Sequence, residues 1–528
     1  MIRHRLGQIV LVWSLLVTLS IGCARKTPPS DVSVAPTRSQ KAKSIPASDA
    51  PAGYLTSEPV NYQRWLTDGQ KVAYSFPLPQ NPEQQKKQEL ERIEKYRGLY
   101  VKSFEQFSKT KDSWSPLARQ ALELVAKSEG VNIGRRDDLL EERAKAIQAA
   151  IEAGCDDLLV RYCSWIEKQK NFTNDPQNLK DIQFFPDQFD NRHYPLQLRL
   201  EARWWVCVTR TATIPTPTTA LPRPPSNQRY DTVMRKNMLP AIDPIWPIFV
   251  EAAKARTVDL DRALLKLAGK ILVYYDNSGR DRKEGFDRIE KALADGHASD
   301  WLKKVVEGHF LIEYVWDARG FSSVGKVPQS AWKVIGPRLT QATKVLTDAW
   351  EEEPTRPESA TMMLEVCKLT GSPRPIMEMW FQRAMQADPA NYDACREKVI
   401  ILHPRWGGSN EEMFQFCYQC ARTNNWDARL PIVLFHAYTD GQYYDKIDYK
   451  SPAFLNDMRE LFEPRITHSP NDRFAITFYA MLSCRAERYD LADYLFRKLE
   501  KRPVLDPLTY RSFEMFVADS WRAKKENQ

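Results

Sequence analysis

Glycine is scarce, with 20 residues in a chain of 528, against an average usage of about 7%. Nucleotide-binding α/β folds place glycines at their phosphate turns, so this scarcity argues against them. No run of five like charges occurs, and the 68 acidic side chains are mixed among 76 basic ones. The net charge of +8 therefore describes a solvated surface and excludes the basic stripe that tracks nucleic acid. The greasy run at residues 9–21, broken by Ser14, Thr18 and Ser20, falls short of the ~20 apolar residues a spanning helix needs. GxSxG, HExxH, EF-hand and GxGxxG patterns are all missing, and no cofactor is expected.

What is present begins with an address. Arg3 and Arg5 precede the short apolar run with no acidic group among them, the layout of a secretory signal over residues 1–22. Ser20-Ile21-Gly22-Cys23 resembles the lipobox of bacterial lipoproteins, although Ser20 stands where that family usually has Leu, and Leu19 lies one place earlier. An ordinary signal peptide or an uncleaved anchor is the alternative. The resemblance implies multiple acylation of Cys23, export, and residence in the bacterial cell envelope, lipid-anchored on the periplasmic side of a membrane. Ala24 after the cysteine would by the same resemblance favour an outer membrane. Residues 23–58 are rich in Pro, Ser, Ala and Lys and read as a disordered tether, since they hold too little apolar surface to repay ordering.

Beyond an extended stretch with Tyr62 and Trp65 as docking points, apolar residues recur at three- and four-residue spacing from about Pro82 onward. The spacing predicts an N-terminal helical domain over 59–210 and a C-terminal helical-repeat domain over 239–528. Between them, the proline-rich passage within 211–238 reads as a linker or long loop. Ala342, Leu346, Ala349 and Pro354 are followed 35 residues later by Met377, Phe381, Ala384 and Pro389. Ala492 and Phe496 repeat part of the spacing, with Ala480 twelve residues before Ala492. This pattern resembles the second helix of tetratricopeptide repeats, whose period is 34, with the first-helix Trp and Gly missing. The resemblance implies an all-α fold of stacked helical hairpins, a degenerate tetratricopeptide-like α-solenoid. Residues 260–500, including "WFQRAMQADPANYDACREKVIILHPRWGGSNEEM", also resemble an uncharacterised family of bacterial envelope proteins, which implies no activity.

Four constellations invite a chemical reading. Gly320 to Val327 approaches a P-loop, but Val327 replaces the metal-binding hydroxyl and Gly320 reads better as a helix terminator. His309, Glu313 and Asp317 share one helical face and are a weak metal or catalytic candidate. The expected structural account is a core histidine hydrogen-bonded by Glu313. Cys417-x2-Cys420 reads as packing within a helix, and the other six cysteines after Cys23 also read as buried thiols. In "HPRWGGSNEEM" a glycine turn and a Ser409–Glu412 capping box explain the backbone and leave Arg405 and Trp406 as candidates for partner binding. Trp406 is expected to fold back over the seam between hairpins.

The expected function is a non-catalytic, envelope-anchored scaffold that binds a protein or peptide partner, held to the membrane by its lipid and with no nucleic-acid role. Alternatives are a hydrolase or other enzyme with a pocket around His309, Glu313 and Asp317, and a structural spacer in the envelope. Cys23→Ser is expected to release the chain from membrane fractions or to leave it unprocessed. A processed Cys23→Ser chain that stays membrane-bound on fractionation and blotting would refute lipidation.

Overall fold

A computed structural model describes residues 82–212, 242–499 and 521–522, apart from 109–111, 132, 170–175, 278–280, 321–323, 424, 427, 442–447 and 471. The expected signal, the tether, Tyr62, Trp65, Arg3, Arg5 and Cys23 lie outside the described residues, as does most of 211–238. The fold is all-α, with no strand among the described residues. No described helix is long and apolar enough to cross a membrane.

The N-terminal part comprises α1 (Pro82–Arg97), which runs through a π turn at Gly98–Lys102 into α2 (Ser103–Phe107). It continues with α3 (Ser115–Gly130), α4 (Ile133–Glu152), α5 (Leu158–Gln169), α6 (Pro176–Asn191) and α7 (Leu196–Ala212). Helix α7 joins two cores. Leu198, Ala202 and Trp205 enter the N-terminal one, while Leu200, Trp204 and Cys207 enter the C-terminal one. A 3.6-residue period lets one helix bury both sides in this way.

The second part begins with α8 (Trp246–Lys254), α9 (Val258–Asn277), α10 (Arg282–Asp295) and α11 (Asp300–Arg319). Next come α12 (Gln329–Glu352), α13 (Pro357–Thr370), α14 (Arg374–Ala387), α15 (Tyr392–Leu402) and α16 (Asn410–Arg422). It closes with α17 (Val433–Gly441), α18 (Pro452–His468), α19 (Arg473–Arg485) and α20 (Tyr489–Lys498). Each helix packs on the next, and α9, α11, α13, α15 and α17 also touch in sequence as an inner row. This is the contact pattern of stacked hairpins.

Local chemistry sets the ends of these helices. Ser299 accepts from the Leu302 N–H at 3.2 Å to start α11, and Gly320 ends it with φ +63°. Asn391 accepts from the Ala394 N–H at 2.9 Å to start α15, and its amide donates to Thr361 of α13 at 2.8 Å. The 35-residue register holds in the packing: Ala342, Leu346 and Ala349 of α12, and Met377, Phe381 and Ala384 of α14, are all buried. Gly308 lets α12 approach α11, because a Cβ there would stand 2.5 Å from Leu346. The eight cysteines beyond Cys23 are free and buried.

Ala384→Trp forces a large ring into a junction with no free volume, and overpacking of this kind costs about 1–3 kcal/mol or more. A clear fall in Tm by calorimetry is expected; an unchanged melting curve would show that Ala384 is not a close-contact point.

Candidate functional site

The inner row is where charge collects. Each odd helix from α9 to α15 sends apolar residues into the core and ionisable ones to the other side. Lys266 of α9 acts electrostatically on Glu201 of α7 and on Asp393 of α15. Side chains of α7, α9 and α15 therefore face a common hollow. Helix α1 borders this hollow through a Lys95–Asp259 ion pair, and Arg92 acts on Asp388.

Pairing between successive helices organises the face. Arg282, at the start of α10, forks onto Asp317 of α11 at 2.8 and 2.9 Å, with Glu313 at 3.3 Å from a third nitrogen. The Trp316 indole N–H donates to Glu365 of α13 at 2.7 Å. Lys368, one turn after Glu365, lies 3.3 Å from it and donates to Glu397 of α15 at 3.0 Å. Burial pushes the Glu365 carboxyl up, but Lys368 and the Trp316 donor together hold it below its ordinary range.

Trp406 joins this set from the α15–α16 turn. The short 3-10 turn Pro404–Trp406 ends at Gly407 with φ +88°, and a Cβ at Gly408 would stand 2.0 Å from the Leu402 carbonyl oxygen. That tight turn carries the half-buried Trp406 ring to an edge-on contact with Trp316, with centroids 6.3 Å apart. Arg319 lies 5.1 and 5.2 Å from the two rings, and Lys368 is 5.7 Å from each. Trp406 thus links the α15 hairpin to α11, two hairpins earlier. Arg405 is exposed beside it. Ser409 accepts from the Glu412 N–H at 3.2 Å, the half of the expected capping box that starts α16.

His309, Glu313 and Asp317 do not act as one set. Both carboxylates are held by Arg282, a residue the sequence pattern did not single out. The expected His309–Glu313 hydrogen bond is not formed, since the half-buried imidazole lies against α9, where a Cβ at Gly269 would stand 2.7 Å from it. Among the described residues, no group of three His, Cys, Asp or Glu is placed to hold a metal ion. Cys417 and Cys420 are buried in α16, and burial followed by Cys395 pushes the Cys420 thiol well up, away from thiolate chemistry. Glu365, Lys368 and Arg396 also went unrecognised; a Glu-x2-Lys spacing on α13 was the one visible signal.

The hollow desolvates what lines it. Burial raises the Glu313 carboxyl to about 7 although Arg282 opposes it, and burial raises Glu201 likewise to about 7. Burial lowers the His309 imidazole to about 4, with Glu365 opposing and Arg282 reinforcing. Fold and face together define the class, an all-α helical-repeat protein with a charged inner row. Comparison with family models, curated proteins and solved structures finds no match, so what this face does must be read from its own residues.

His309 gives a signed test. Its folded pKa of about 4 lies below the ~6.5 of an unfolded chain. Its contribution to stability is therefore full above pH ~6.5 and is lost as pH falls toward 4. His309→Gln removes that loss, so the Tm difference, variant minus wild type, is expected to be more favourable at pH 5 than at pH 7.5. A pH-independent difference in thermal melts would refute the depressed pKa.

Proposed function

We propose that the chain is a non-catalytic scaffold, anchored in the bacterial cell envelope through Cys23, whose inner row binds an extended protein or peptide segment. The observation that supports this reading most is the succession of ionisable, solvent-contacting side chains on the contacting helices α9, α11, α13 and α15. An extended segment meets such a face over its whole length, with each helix contributing a contact. The mixed signs of Lys266, Glu313 and Asp393 suit a polar segment better than an apolar one. An enzyme centred on His309 would need Glu313 and Asp317 as working acids, whereas Arg282 engages both.

Photo-crosslinking residues placed at 266, 313 and 393 of the full chain in cells are expected to capture the same protein. The exposed outer positions 291 and 344 should capture none of it. Equal capture from both faces, or capture from neither, would overturn the scaffold reading.

A further inference from the structure

Most buried cations among the described residues are held by acids, while Arg319 donates to the Gly320 carbonyl at 3.0 Å. Arg143 has Glu129 and Glu167, Arg356 has Asp261, Lys398 has Glu378 and Arg465 has Asp472. Arg396 breaks the pattern. Its side chain, on inner helix α15, is only 8% exposed. Among the described residues nothing accepts a hydrogen bond from it, and its Nε is sealed from solvent with no partner. A buried guanidinium without an acceptor is costly, and proteins as a rule pair it.

The surroundings explain what is missing. Asp393, one turn earlier, is exposed and interacts with Arg396 electrostatically without bonding to it. Glu397 is engaged by Lys368 at 3.0 Å. Across the helix boundary, His436 of α17 is buried and meets the Tyr392 hydroxyl at 2.5 Å. Burial, and after it the Arg396 charge, hold that imidazole neutral. The Arg396 N–H donors thus lie beside the neutral His436, one turn from Asp393, with no acceptor bonded to them. A guanidinium matches two oxygens of a carboxylate or phosphate in one plane.

We propose that Arg396 is the anchoring residue for an oxyanion, a carboxylate or phosphate group, carried by the segment bound along the inner row. The ligand's setting rests on the scaffold reading, but the anion site itself can be tested alone. An acceptor supplied by the ligand would satisfy Arg396 only in the complex. The residue would then serve binding at the expense of the free chain's stability.

Thermal melts of the full chain with inorganic phosphate, with acetate, and with chloride at matched ionic strength test this. Wild-type Tm is expected to rise with the logarithm of phosphate or acetate concentration beyond the chloride control. A response to phosphate alone assigns a phosphate ligand, and a response to acetate assigns a carboxylate. Arg396→Met should melt no lower than wild type without anion, and should lose the anion-specific rise. Asp393→Asn, which removes the nearest exposed negative charge, should enlarge it. An Arg396→Met chain that melts lower would mark the arginine as structural and overturn the site. So would a wild type that answers neither anion, or a variant that answers as wild type does. An intact anion response with failed inner-face crosslinking would sink the scaffold reading alone.

Discussion

Lys368 is the interaction on which the inner row turns. It is a nearly buried ammonium, 3% exposed at the side chain, and it reaches Glu365 on its own helix, Glu397 on α15 and the faces of Trp316 and Trp406. Four elements therefore share one charge. A buried ion pair contributes little net stability compared with an apolar pair, but leaving either acid alone would cost several kcal/mol. Its value is in fixing positions. Glu365 is held where it accepts from Trp316, and Trp316 is held where Trp406 meets its edge.

The same economy separates the two sides of each inner helix. On the core side, Lys398 is the exception that shows the rule: its ammonium donates to Glu378 at 2.7 Å and sits over Phe381 and Phe416. Elsewhere the core is largely apolar, and further buried charges are paired there, Arg356 with Asp261 and Arg465 with Asp472. On the hollow side, side chains keep solvent contact yet are surrounded by neighbouring helices. Burial disfavours their charged forms unless a close partner outweighs it, as Lys368 does for Glu365, and Glu201 and Glu313 are raised to about 7. Such acids respond to whatever enters the hollow, because an incoming cation or the removal of water shifts their protonation.

Helical period, caps and small residues were legible in the sequence because they are local. Ala342, Leu346 and Ala349 announce α12 as a close-packed helix by spacing alone, and Gly320 announces the end of α11. The site was not legible, because its contacts cross the chain. Trp316 and Trp406 are far apart in sequence, and only the stacking of successive hairpins brings their rings together. Arg282 is the first residue of α10 after the Asp281 cap, and nothing in its local sequence points to Asp317 and Glu313 on the next helix. His309 shares a helical face with Glu313, yet its ring lies against Gly269 of α9 and not on that carboxylate. Spacing gives the face of a helix and not the partner opposite.

Two interior glycines show how far the fold goes to keep α11 central. Glycine inside a helix costs about 1 kcal/mol relative to alanine, and this chain uses glycine sparingly. Yet Gly269 of α9 makes room for the His309 ring, and Gly308, the residue before that histidine, makes room for Leu346 of α12. Helix α11 is thus drawn close to a neighbour on either side at the same level. Farther along, Glu313, Trp316 and Asp317 contact Arg282 and Glu365 by way of longer polar side chains. The close seating of α11 between α9 and α12 thus rests in part on two hydrogen atoms where side chains would otherwise stand.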